Sequence, residues 1–435
     1  MLCEVAAILA ALLCLVACAQ DNPAAPPWQT NTPIVTVEKA LYKTHPKPGA
    51  SAVVSVQPVG PELQLREVQA VQTQSDVGDD IAARWSLDNG RAWSDFVPVQ
   101  PSNNIDYGGV TVWEGEGTAA HDPTSGLLVQ LWLRQIHHGG VYHNFTYIRT
   151  SSDLGRSWSD PSPLTYEDGD EFDPTDPLNP GLLNHNEAYL GNNILVRSDG
   201  TLVVCLAHAN APGDPKNDER PWRMGSVLML GHWDADAGEY VWAPGARVEI
   251  SPEHSARGLM EPEVAELTDG RLLVVWRGST RGWDGTVAKL PGRKFFSISE
   301  DGGLTMTPPA EWQYDDGSSF YSPSSIHRMI RHSVTGKLYW IGNISPTPPS
   351  GNSPRYPLVI AEVDEAKAAL RESTVTVIDD RQPGQGSGVQ YSNFSVYEDR
   401  ETRDLILHLT TYGQELDAAD WATADNYRYA VSLTE

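Results

Sequence analysis

Cysteine is scarce in this chain, and its scarcity limits the available chemistry. Of the four cysteines among 435 residues, Cys3, Cys14 and Cys18 lie close to the N-terminus, and only Cys205 lies beyond them. A single cysteine in residues 19–435 excludes an intrachain disulfide there, and also a metal site built from several thiolates. Because Cys205 lies in the apolar run LVVCLA, we expect a buried thiol without a chemical role.

Basic residues are also few. The chain has 31 Lys and Arg against 57 Asp and Glu, which gives a formal charge of −26. A nucleic-acid backbone and an anionic membrane surface both attract clustered Lys and Arg. The composition therefore excludes nucleic acid as a partner and argues against binding to an anionic membrane face. The apolar share of 40% is nevertheless sufficient for a packed core.

Long apolar runs are absent except at the N-terminus. Residues 5–17, VAAILAALLCLVA, are too short to span a bilayer as a helix, and they predict a signal peptide over residues 1–19. The A-C-A sequence gives a cleavage site with a mature start near Gln20. The L-V-A-C sequence resembles a lipobox and makes Cys18 a candidate for lipid attachment, so both interpretations are kept. We expect a secreted, periplasmic or cell-surface protein without a membrane span.

Helical periodicity is scarce as well, and residues 363–371, VDEAKAALR, are the one segment predicted to form a short helix. A turn followed by a short apolar strand recurs instead, at intervals of 66 to 74 residues. Its copies begin at Gly60, Gly126, Gly200, Gly270, Gly336 and Arg403.

Each repeat has enough short β runs for one four-stranded sheet, which cannot bury both of its faces alone. Six such sheets arranged radially can bury them. The repeat therefore predicts an all-β fold in which residues 33–435 form one six-bladed β-propeller, preceded by a Pro-rich linker at residues 20–32. A β-sandwich with coincidental spacing is the alternative.

Three hairpin turns share the pattern S-x-D-x-G-x-x-W, with Met for Trp in the last. They span residues 86–93, 151–158 and 299–306. We expect the Asp to hydrogen-bond the loop backbone, the Gly to adopt a positive φ, and the large apolar residue to pack beneath the turn. These turns resemble the Asp-boxes of the sialidase (neuraminidase) superfamily, whose fold is a six-bladed propeller. The resemblance extends over nearly all of the chain after the signal.

This resemblance implies an active site on the propeller axis, with three arginines that bind a carboxylate, a Tyr nucleophile assisted by a Glu, and an Asp acid/base. Glu261 in MEPEVAEL matches the Glu, and Tyr391 in QYSNF matches the Tyr. A phenol with a pKa of about 10 is a poor nucleophile until a neighbouring carboxylate takes its proton. Asp76, in DVGDD before the first turn motif, matches the acid/base.

Two of the three implied arginines have a match. Arg277 follows the strand LLVVW, and Arg355 lies in PRYPL after a loop rich in Pro, Gly and Ser. Lys43, in LYKTHPK, stands where the first arginine is expected. A lysine is a point charge and cannot form the paired hydrogen bonds of a guanidinium with a carboxylate. This departure bears on sialic acid as the substrate, but not on the propeller or on a glycan site.

A group of histidines supports a competing hypothesis. His138 lies in IHHGGVYH, and His185 and Glu187 lie in LNHNEAY. Some propellers of related architecture are polysaccharide lyases that use His and Tyr to remove a proton beside a uronate carboxylate. No HExxH sequence or comparable helical spacing is present, so we predict neither a catalytic metal nor a cofactor.

The sequence therefore predicts an exported glycoside hydrolase of sialidase type that acts on terminal acidic sugars of a glycan and retains the anomeric configuration. A lyase acting on uronate-containing polysaccharides and a non-catalytic carbohydrate-binding propeller are the alternatives. The predicted catalytic residues are Tyr391, Glu261 and Asp76, and the predicted substrate-binding residues are Arg277, Arg355, Lys43, His138, His185 and Glu187.

Overall fold

A computed structural model describes most of the chain, and its strands form six antiparallel sheets. The described residues are 26–74, 77–99, 104–209, 224–282, 285–414 and 421–434. The prediction of a six-bladed β-propeller is confirmed. The predicted signal, Cys18 and Asp76 lie outside the described residues. No helix within these ranges is long and apolar enough to cross a membrane.

The strands follow one another around the ring in chain order, blade by blade. Strand β1 (Val35–Lys43) joins the last blade. Blade 1 consists of β2 (Ser51–Pro58), β3 (Leu65–Gln74), β4 (Val77–Ser86) and β5 (Val97–Pro98). Blade 2 consists of β6 (Asn104–Tyr107), β7 (Val110–His121), β8 (Leu128–His138), β9 (Val141–Ser151) and β10 (Ser162–Pro163). Blade 3 consists of β11 (Ala188–Tyr189), β12 (Ile194–Val196), β13 (Leu202–His208), β14 (Ser226–Asp234) and β15 (Glu239–Val248).

The second half of the ring repeats this order. Blade 4 consists of β16 (Met260–Glu266), β17 (Leu272–Arg277), β18 (Lys294–Ser299) and β19 (Ala310–Glu311). Blade 5 consists of β20 (Arg328–Arg331), β21 (Leu338–Asn343), β22 (Leu358–Asp364), β23 (Ala369–Leu370) and β24 (Thr376–Asp379). Blade 6 consists of β25 (Phe394–Glu398), β26 (Leu405–Thr410), β27 (Asn426–Leu433) and β1. In the described part of the chain, the helical segments are a single turn, α1 (Pro180–Leu183), and two 3₁₀ turns, Pro27–Gln29 and Glu372–Thr374.

The repeat found in the sequence marks the same structural position in every blade. Each copy leads into the second long strand of its blade, namely β3, β8, β13, β17, β21 and β26. Every residue of β13, β17, β21 and β26 is buried, because these strands are covered by the neighbouring blades on both faces. Burial on both faces explains why these segments are continuous apolar runs instead of alternating ones. Cys205 lies within β13 and is buried, and burial raises the pKa of its thiol to about 12.

The ring is closed by the two ends of the chain. Strand β1 pairs antiparallel with β27 from Val35 opposite Leu433 to Lys43 opposite Asn426. The inner strands of neighbouring blades contact one another in order, β25 with β2, β2 with β7, β7 with β12, β12 with β16 and β16 with β20. Closure in this way covers both faces of every sheet.

Lys39 reinforces this closure from β1. Its Nζ lies 2.6 Å from a carboxylate oxygen of Asp379 on β24, and 4.5 Å from the ring centroid of Tyr427 on β27. The rings of Tyr391 and Tyr429 lie 5.5 and 5.4 Å from the same ammonium group. The Tyr429 hydroxyl donates to Asp379 at 2.6 Å. An ammonium in contact with aromatic rings and one carboxylate thus joins β1 to β27 and to blade 5.

The three Ser-Asp-Gly turns share one set of hydrogen bonds. In the third turn the Ser299 hydroxyl donates to Asp301 at 2.9 Å and accepts from the N–H of Gly303 at 2.8 Å, and Gly303 has a φ of 106°. Hydrogen bonds from the hydroxyl and the N–H of Thr305 lower the pKa of Asp301 to about 2. The turns at Ser86 and Ser151 have the same Ser–Asp and Ser–Gly contacts. The Asp carboxylates of the three turns therefore form their hydrogen bonds within the turns themselves.

The short helix predicted for residues 363–371 is wrong. This segment is a β-hairpin in which Val363 pairs with Leu370 and Asp364 pairs with Ala369. Val363 and Leu370 are buried in the core between blades 4 and 5, and Ala368 adopts a φ of 52° in the turn. Burial of these two side chains outweighs the helix propensity of the Ala- and Glu-rich turn between them.

The predicted linker is described from residue 26 onward. There the Asn31 amide donates to the carbonyl oxygen of Glu372 at 2.7 Å, which attaches the segment to blade 5.

Replacement of Lys39 by alanine tests the closure. We expect Lys39→Ala to lower the free energy of unfolding by about 1–2 kcal/mol, because it removes the ion pair and the cation–π contacts together. Lys337→Ala is the matched control, since Lys337 forms an ion pair with Glu362 at the same kind of distance, 2.8 Å, but is 52% exposed. The control should change stability by less than about 0.5 kcal/mol. Equal losses in chemical denaturation would contradict a special role for Lys39.

Candidate active site

All six blades contribute to one cavity of about 530 Å³. Several of its lining residues lie near the end of a second strand or the start of a first strand, as Gln72 does on β3, Arg277 on β17 and Glu261 on β16, and others lie in the loops between strands. Because every blade repeats the same strand order, equivalent strand ends meet around the axis at one face of the ring. The cavity is therefore the central pocket in which side chains from distant parts of the chain come together.

Blades 4 and 5 make one wall of the cavity cationic. Arg257, Arg277 and Arg355 line it, and Glu261 is its single carboxylate among the residues that the structure describes. Three guanidinium groups beside one carboxylate leave an excess of positive charge, although the chain as a whole carries −26. Such a wall is suited to an anionic ligand.

A β-bulge directs Glu261 toward this wall. Met260 pairs with Arg277, but the next pair on β16 is Glu263 with Val275, so two residues are accommodated between them. Glu261 has a φ of 47°, in the left-handed region that side-chain-bearing residues rarely adopt. The amide of Asn192 donates to the Glu261 carbonyl oxygen at 3.0 Å and thereby helps to hold the bulge.

The carboxylate of Glu261 is paired on one side only. Its Oε1 lies 2.8 Å from Nη1 of Arg277. Within the described part of the chain, the buried Oε2 has no hydrogen-bond partner, and neither has the buried Nε of Arg277. Backbone strain combined with incomplete pairing is frequent at binding and catalytic sites.

Arg257 lies in a loop that passes very close to Met224. Gly258 follows it with a φ of 80°, and a Cβ at that position would lie 1.9 Å from the Met224 carbonyl oxygen. Only glycine fits this approach, so it sets where Arg257 enters the cavity. The Nε of Arg257 donates to the carbonyl of Arg281 at 3.0 Å. Burial and the charge of Arg277 lower the pKa of Arg257, and an anion between the two guanidinium groups would oppose this shift.

Arg355 is held rigidly by its own neighbours. Its Nη2 donates to the Ser324 carbonyl at 3.0 Å, and its Nη1 donates to the Gln390 side chain at 3.0 Å. The Ser392 hydroxyl accepts from Nη1 at 3.3 Å. Because these bonds fix the guanidinium before any ligand arrives, binding costs less side-chain entropy.

A fully buried amine lies beneath the arginines. Lys294 donates from Nζ to the Ser325 carbonyl at 2.5 Å. Burial lowers its pKa, Glu261 opposes that shift, and Arg277 and Arg355 add to it. Burial and the nearby Lys294 likewise lower the pKa of His327. Both shifts favour the neutral forms of the two groups.

Blade 6 contributes an aromatic wall with a phenol. The ring of Tyr412 stacks on Trp421 with centroids 4.8 Å apart and an interplanar angle of 14°. The Tyr412 hydroxyl hydrogen-bonds the side chain of Gln72 from blade 1. Tyr412 and Trp421 both line the cavity, and neither was singled out from the sequence as catalytic.

Tyr391, the predicted nucleophile, does not line the cavity. Its side chain is buried in the core between blades 5 and 6, and its hydroxyl donates to Gln385 at 3.0 Å. Burial and the charge of Asp379 raise the pKa of this phenol to about 12. Glu261, in contrast, lines the cavity, where its carboxylate pairs with Arg277. The structure therefore does not bring Tyr391 and Glu261 together, and the role predicted for Tyr391 lacks its expected geometry.

Of the other predicted site residues, some line the cavity and some do not. Arg277 and Arg355 line the cavity as expected, but Lys43 does not, since its ammonium donates to Gln69 and lies 5.6 Å from the Phe96 ring centroid. The third cationic group of the wall is Arg257. Asp76 has no described position, although Gln72, four residues before it, lines the cavity.

The predicted histidine site is not assembled in the central cavity. His138 is exposed at the end of β8, and Nδ1 of His185 lies 3.9 Å from a carboxylate oxygen of Glu167. Glu187 is buried and lies 3.3 Å from His143. None of these residues lines the cavity, and no group of three or more His, Cys, Asp or Glu in the described ranges is placed to hold a metal.

No family model matches the chain. Among solved structures it is similar to a protein of unknown function from Dyadobacter fermentans, with a TM-score of 0.59 and 13% identity over 93% of this chain and 100% of that one. It is also similar to a NanB sialidase variant from Streptococcus pneumoniae, with a TM-score of 0.56 and 12% identity over 91% of this chain and 70% of that one. A third is the intramolecular trans-sialidase from Ruminococcus gnavus, with a TM-score of 0.50 and 10% identity over 87% and 94%.

The chain has the six-bladed propeller fold of these sialidases. At identities of 10 to 13%, the likeness establishes the fold and leaves the reaction to the residues of the cavity.

The position of a residue within the repeat could have identified one of the two cavity residues, Tyr412 and Arg257, that no sequence motif singled out. Arg277 ends β17, the second strand of blade 4, and Tyr412 follows β26, the second strand of blade 6, by two residues. The ends of β3, β13, β17 and β26 thus place residues at the cavity, whereas His138 at the end of β8 does not line it. Arg257 has no such signal, because its position depends on contact of its loop with Met224.

Two substitutions at one position test the strain at Glu261. Glu261→Gly and Glu261→Ala remove the same carboxylate, but only glycine adopts a φ of 47° without steric cost. We expect the glycine variant to be more stable by about 1 kcal/mol in denaturant unfolding. Equal stability of the two variants would contradict strain at this residue.

Proposed function

We propose that this protein is a glycoside hydrolase that removes a carboxylated sugar from the end of a glycan. The observation that carries the proposal is the convergence of Arg257, Arg277 and Arg355 beside Glu261 in a cavity lined by all six blades. A guanidinium binds a carboxylate through two parallel hydrogen bonds, and a neutral sugar would leave an excess of positive charge in the cavity, because Glu261 pairs with Arg277 only. The cavity volume, about 530 Å³, suits a ligand of one or two sugar rings.

The proposed nucleophile is Tyr412, in place of Tyr391. Its phenol lies on the cavity wall, whereas the resemblance implies the tyrosine of the QYSNF segment. Glu261 would take the phenolic proton, because a phenol reacts poorly until a carboxylate assists it. A neutral phenol also approaches an anomeric centre that bears a carboxylate more readily than a charged Asp or Glu does.

The reaction then has two steps with retention of configuration. The oxygen of Tyr412 attacks the anomeric carbon while the bond to the departing glycan oxygen breaks, and Asp76 gives that oxygen its proton. Water, deprotonated by Asp76, next attacks the same carbon and releases the phenol, whose oxygen regains the proton from Glu261. Asp76 keeps the acid/base role implied by the resemblance, and it comes four residues after Gln72 in the sequence.

The uronate lyase is not favoured, because neither His138 nor His185 lines the cavity. A non-catalytic binding propeller makes the same use of the arginines but gives no role to the strained Glu261.

A matched pair of tyrosine variants tests the mechanism. Tyr412→Phe and Tyr391→Phe each remove one hydroxyl, so they differ in position and not in kind. On fluorogenic glycosides of sialic and glucuronic acids, we expect kcat to fall by at least about a hundredfold in Tyr412→Phe and to change less than about threefold in Tyr391→Phe.

The opposite ranking would return the nucleophile to Tyr391. Absence of turnover by the wild-type protein on every carboxylated glycoside would contradict a hydrolase. Retained binding of those sugars would then identify a binding propeller, and ultraviolet absorbance from an unsaturated product would identify a lyase.

A further inference from the structure

One loop contacts both of the loops that carry Arg257 and Arg355. It follows β17, and the contacts are made by residues 279–281. Arg257 comes just before β16 in the chain, and Arg355 comes just before β22. Residues 279–281 do not themselves line the cavity, so they act on a ligand only through the residues that they hold.

The first set of contacts holds the backbone on both sides of Arg257. The N–H of Ala256 donates to the Ser279 carbonyl oxygen at 2.8 Å. The N–H of Ser279 donates to the Ser255 hydroxyl at 2.9 Å, and this hydroxyl donates to the Gly258 carbonyl oxygen at 2.6 Å. Hydrogen bonds at residues 256 and 258 thus fix the backbone of the arginine between them.

The second set of contacts leads to Arg355. The Ser279 hydroxyl lies 3.0 Å from the Ser324 hydroxyl, and the Ser324 carbonyl oxygen accepts from the Arg355 guanidinium at 3.0 Å. The neighbouring Thr280 hydroxyl accepts from the N–H of Gly351 at 2.7 Å, and the Gly351 carbonyl oxygen accepts from the N–H of Ser324 at 3.1 Å. The same short segment is therefore bonded to the surroundings of each arginine.

The serines that make these contacts are buried. Ser255 is 0% exposed, Ser279 is 4% exposed and Ser324 is 1% exposed. A buried hydroxyl that loses its partner cannot exchange it for bulk water, so leaving one of these bonds unmade costs free energy. Burial therefore favours a single arrangement of the three side chains.

Like charges in the cavity give this arrangement a purpose. Burial and the charge of Arg277 lower the pKa of Arg257, which means that the two guanidinium groups repel each other. In the absence of a ligand, this repulsion favours movement of Arg257 away from the cationic wall. A backbone that is fixed on both sides of Arg257 limits the movement, so a carboxylate meets arginines that are already in place.

We infer that Ser279 is a positioning residue that fixes Arg257 and Arg355 relative to each other, so that both can bind one carboxylate. Its backbone bonds the loop of Arg257, and its hydroxyl bonds the residue whose carbonyl group anchors Arg355. The inference rests on the proposed function, in which these arginines hold the acidic sugar. It assigns part of the affinity to a hydroxyl that does not touch the ligand.

Calorimetric titration with free sialic acid and with free glucuronic acid tests the inference. The variants are Ser279→Ala and Ser322→Ala. Ser322 is the matched control, because it is also fully buried and its hydroxyl donates to the Asn343 carbonyl oxygen at 2.7 Å. For the acid that the wild-type protein binds, we expect Ser279→Ala to weaken binding by about tenfold and Ser322→Ala by less than about twofold.

A second background separates positioning from a general loss of stability. Arg355→Lys keeps the positive charge but removes the guanidinium that the Ser324 carbonyl oxygen holds. Because the Ser279 hydroxyl acts through Arg355, adding Ser279→Ala to Arg355→Lys should change the affinity by less than about twofold. Urea unfolding of Ser279→Ala and Ser322→Ala should give similar midpoints, since each variant loses one buried hydrogen bond.

The results distinguish failure of the inference from failure of the proposed function. Equal affinities of the wild-type protein and Ser279→Ala, or equal losses in Ser279→Ala and Ser322→Ala, would overturn the inference and leave the arginine site standing. A loss of about tenfold that persists in the Arg355→Lys background would also overturn it, because the hydroxyl would then act independently of that arginine. Binding of neither acid by the wild-type protein would overturn the proposed function and the inference together.

Discussion

The antiparallel pairing of β1 with β27 is the constraint on which the rest of the structure depends. A single four-stranded sheet leaves one face uncovered, and six sheets cover each other only when the ring is closed. The two ends of the chain provide that closure, and the ammonium of Lys39 adds a contact to Asp379 and to the tyrosine rings around it. Closure also determines where the second-strand ends lie. The central cavity is thus a consequence of the ring and not of any one loop.

The fold was predictable because its main signal is repeated. A turn followed by an apolar strand marks the second strand of each blade, and such strands are continuous apolar runs because they are covered on both faces. Residues 363–371 were mispredicted as a helix, since their composition favours helix while the burial of Val363 and Leu370 requires a hairpin. Local composition is a weaker determinant than tertiary burial at such a position.

The site was predictable only in part. The residues that were predicted correctly and those that were not lie in different structural surroundings. Arg277 and Glu261 belong to paired strands, so their placement follows from the blade, whereas Tyr391 lies in a loop segment just before β25. Its neighbour Gln390 lines the cavity and binds Arg355, while Tyr391 points into the core. Successive residues of an extended segment face opposite ways, so a match of sequence letters does not determine which of two neighbours reaches the ligand. The placement of Arg257 depends on a contact between loops that no local pattern encodes.

The central claim is that the guanidinium groups of Arg257, Arg277 and Arg355 jointly hold the carboxylate of a terminal sugar. The most direct measurement is a crystal structure of the protein with a bound carboxylated sugar. The account predicts that the sugar carboxylate lies within hydrogen-bonding distance of at least two of these arginines, with the Tyr412 oxygen facing the anomeric carbon. A carboxylate bound away from the arginines, or an anomeric carbon facing Tyr391, would contradict it.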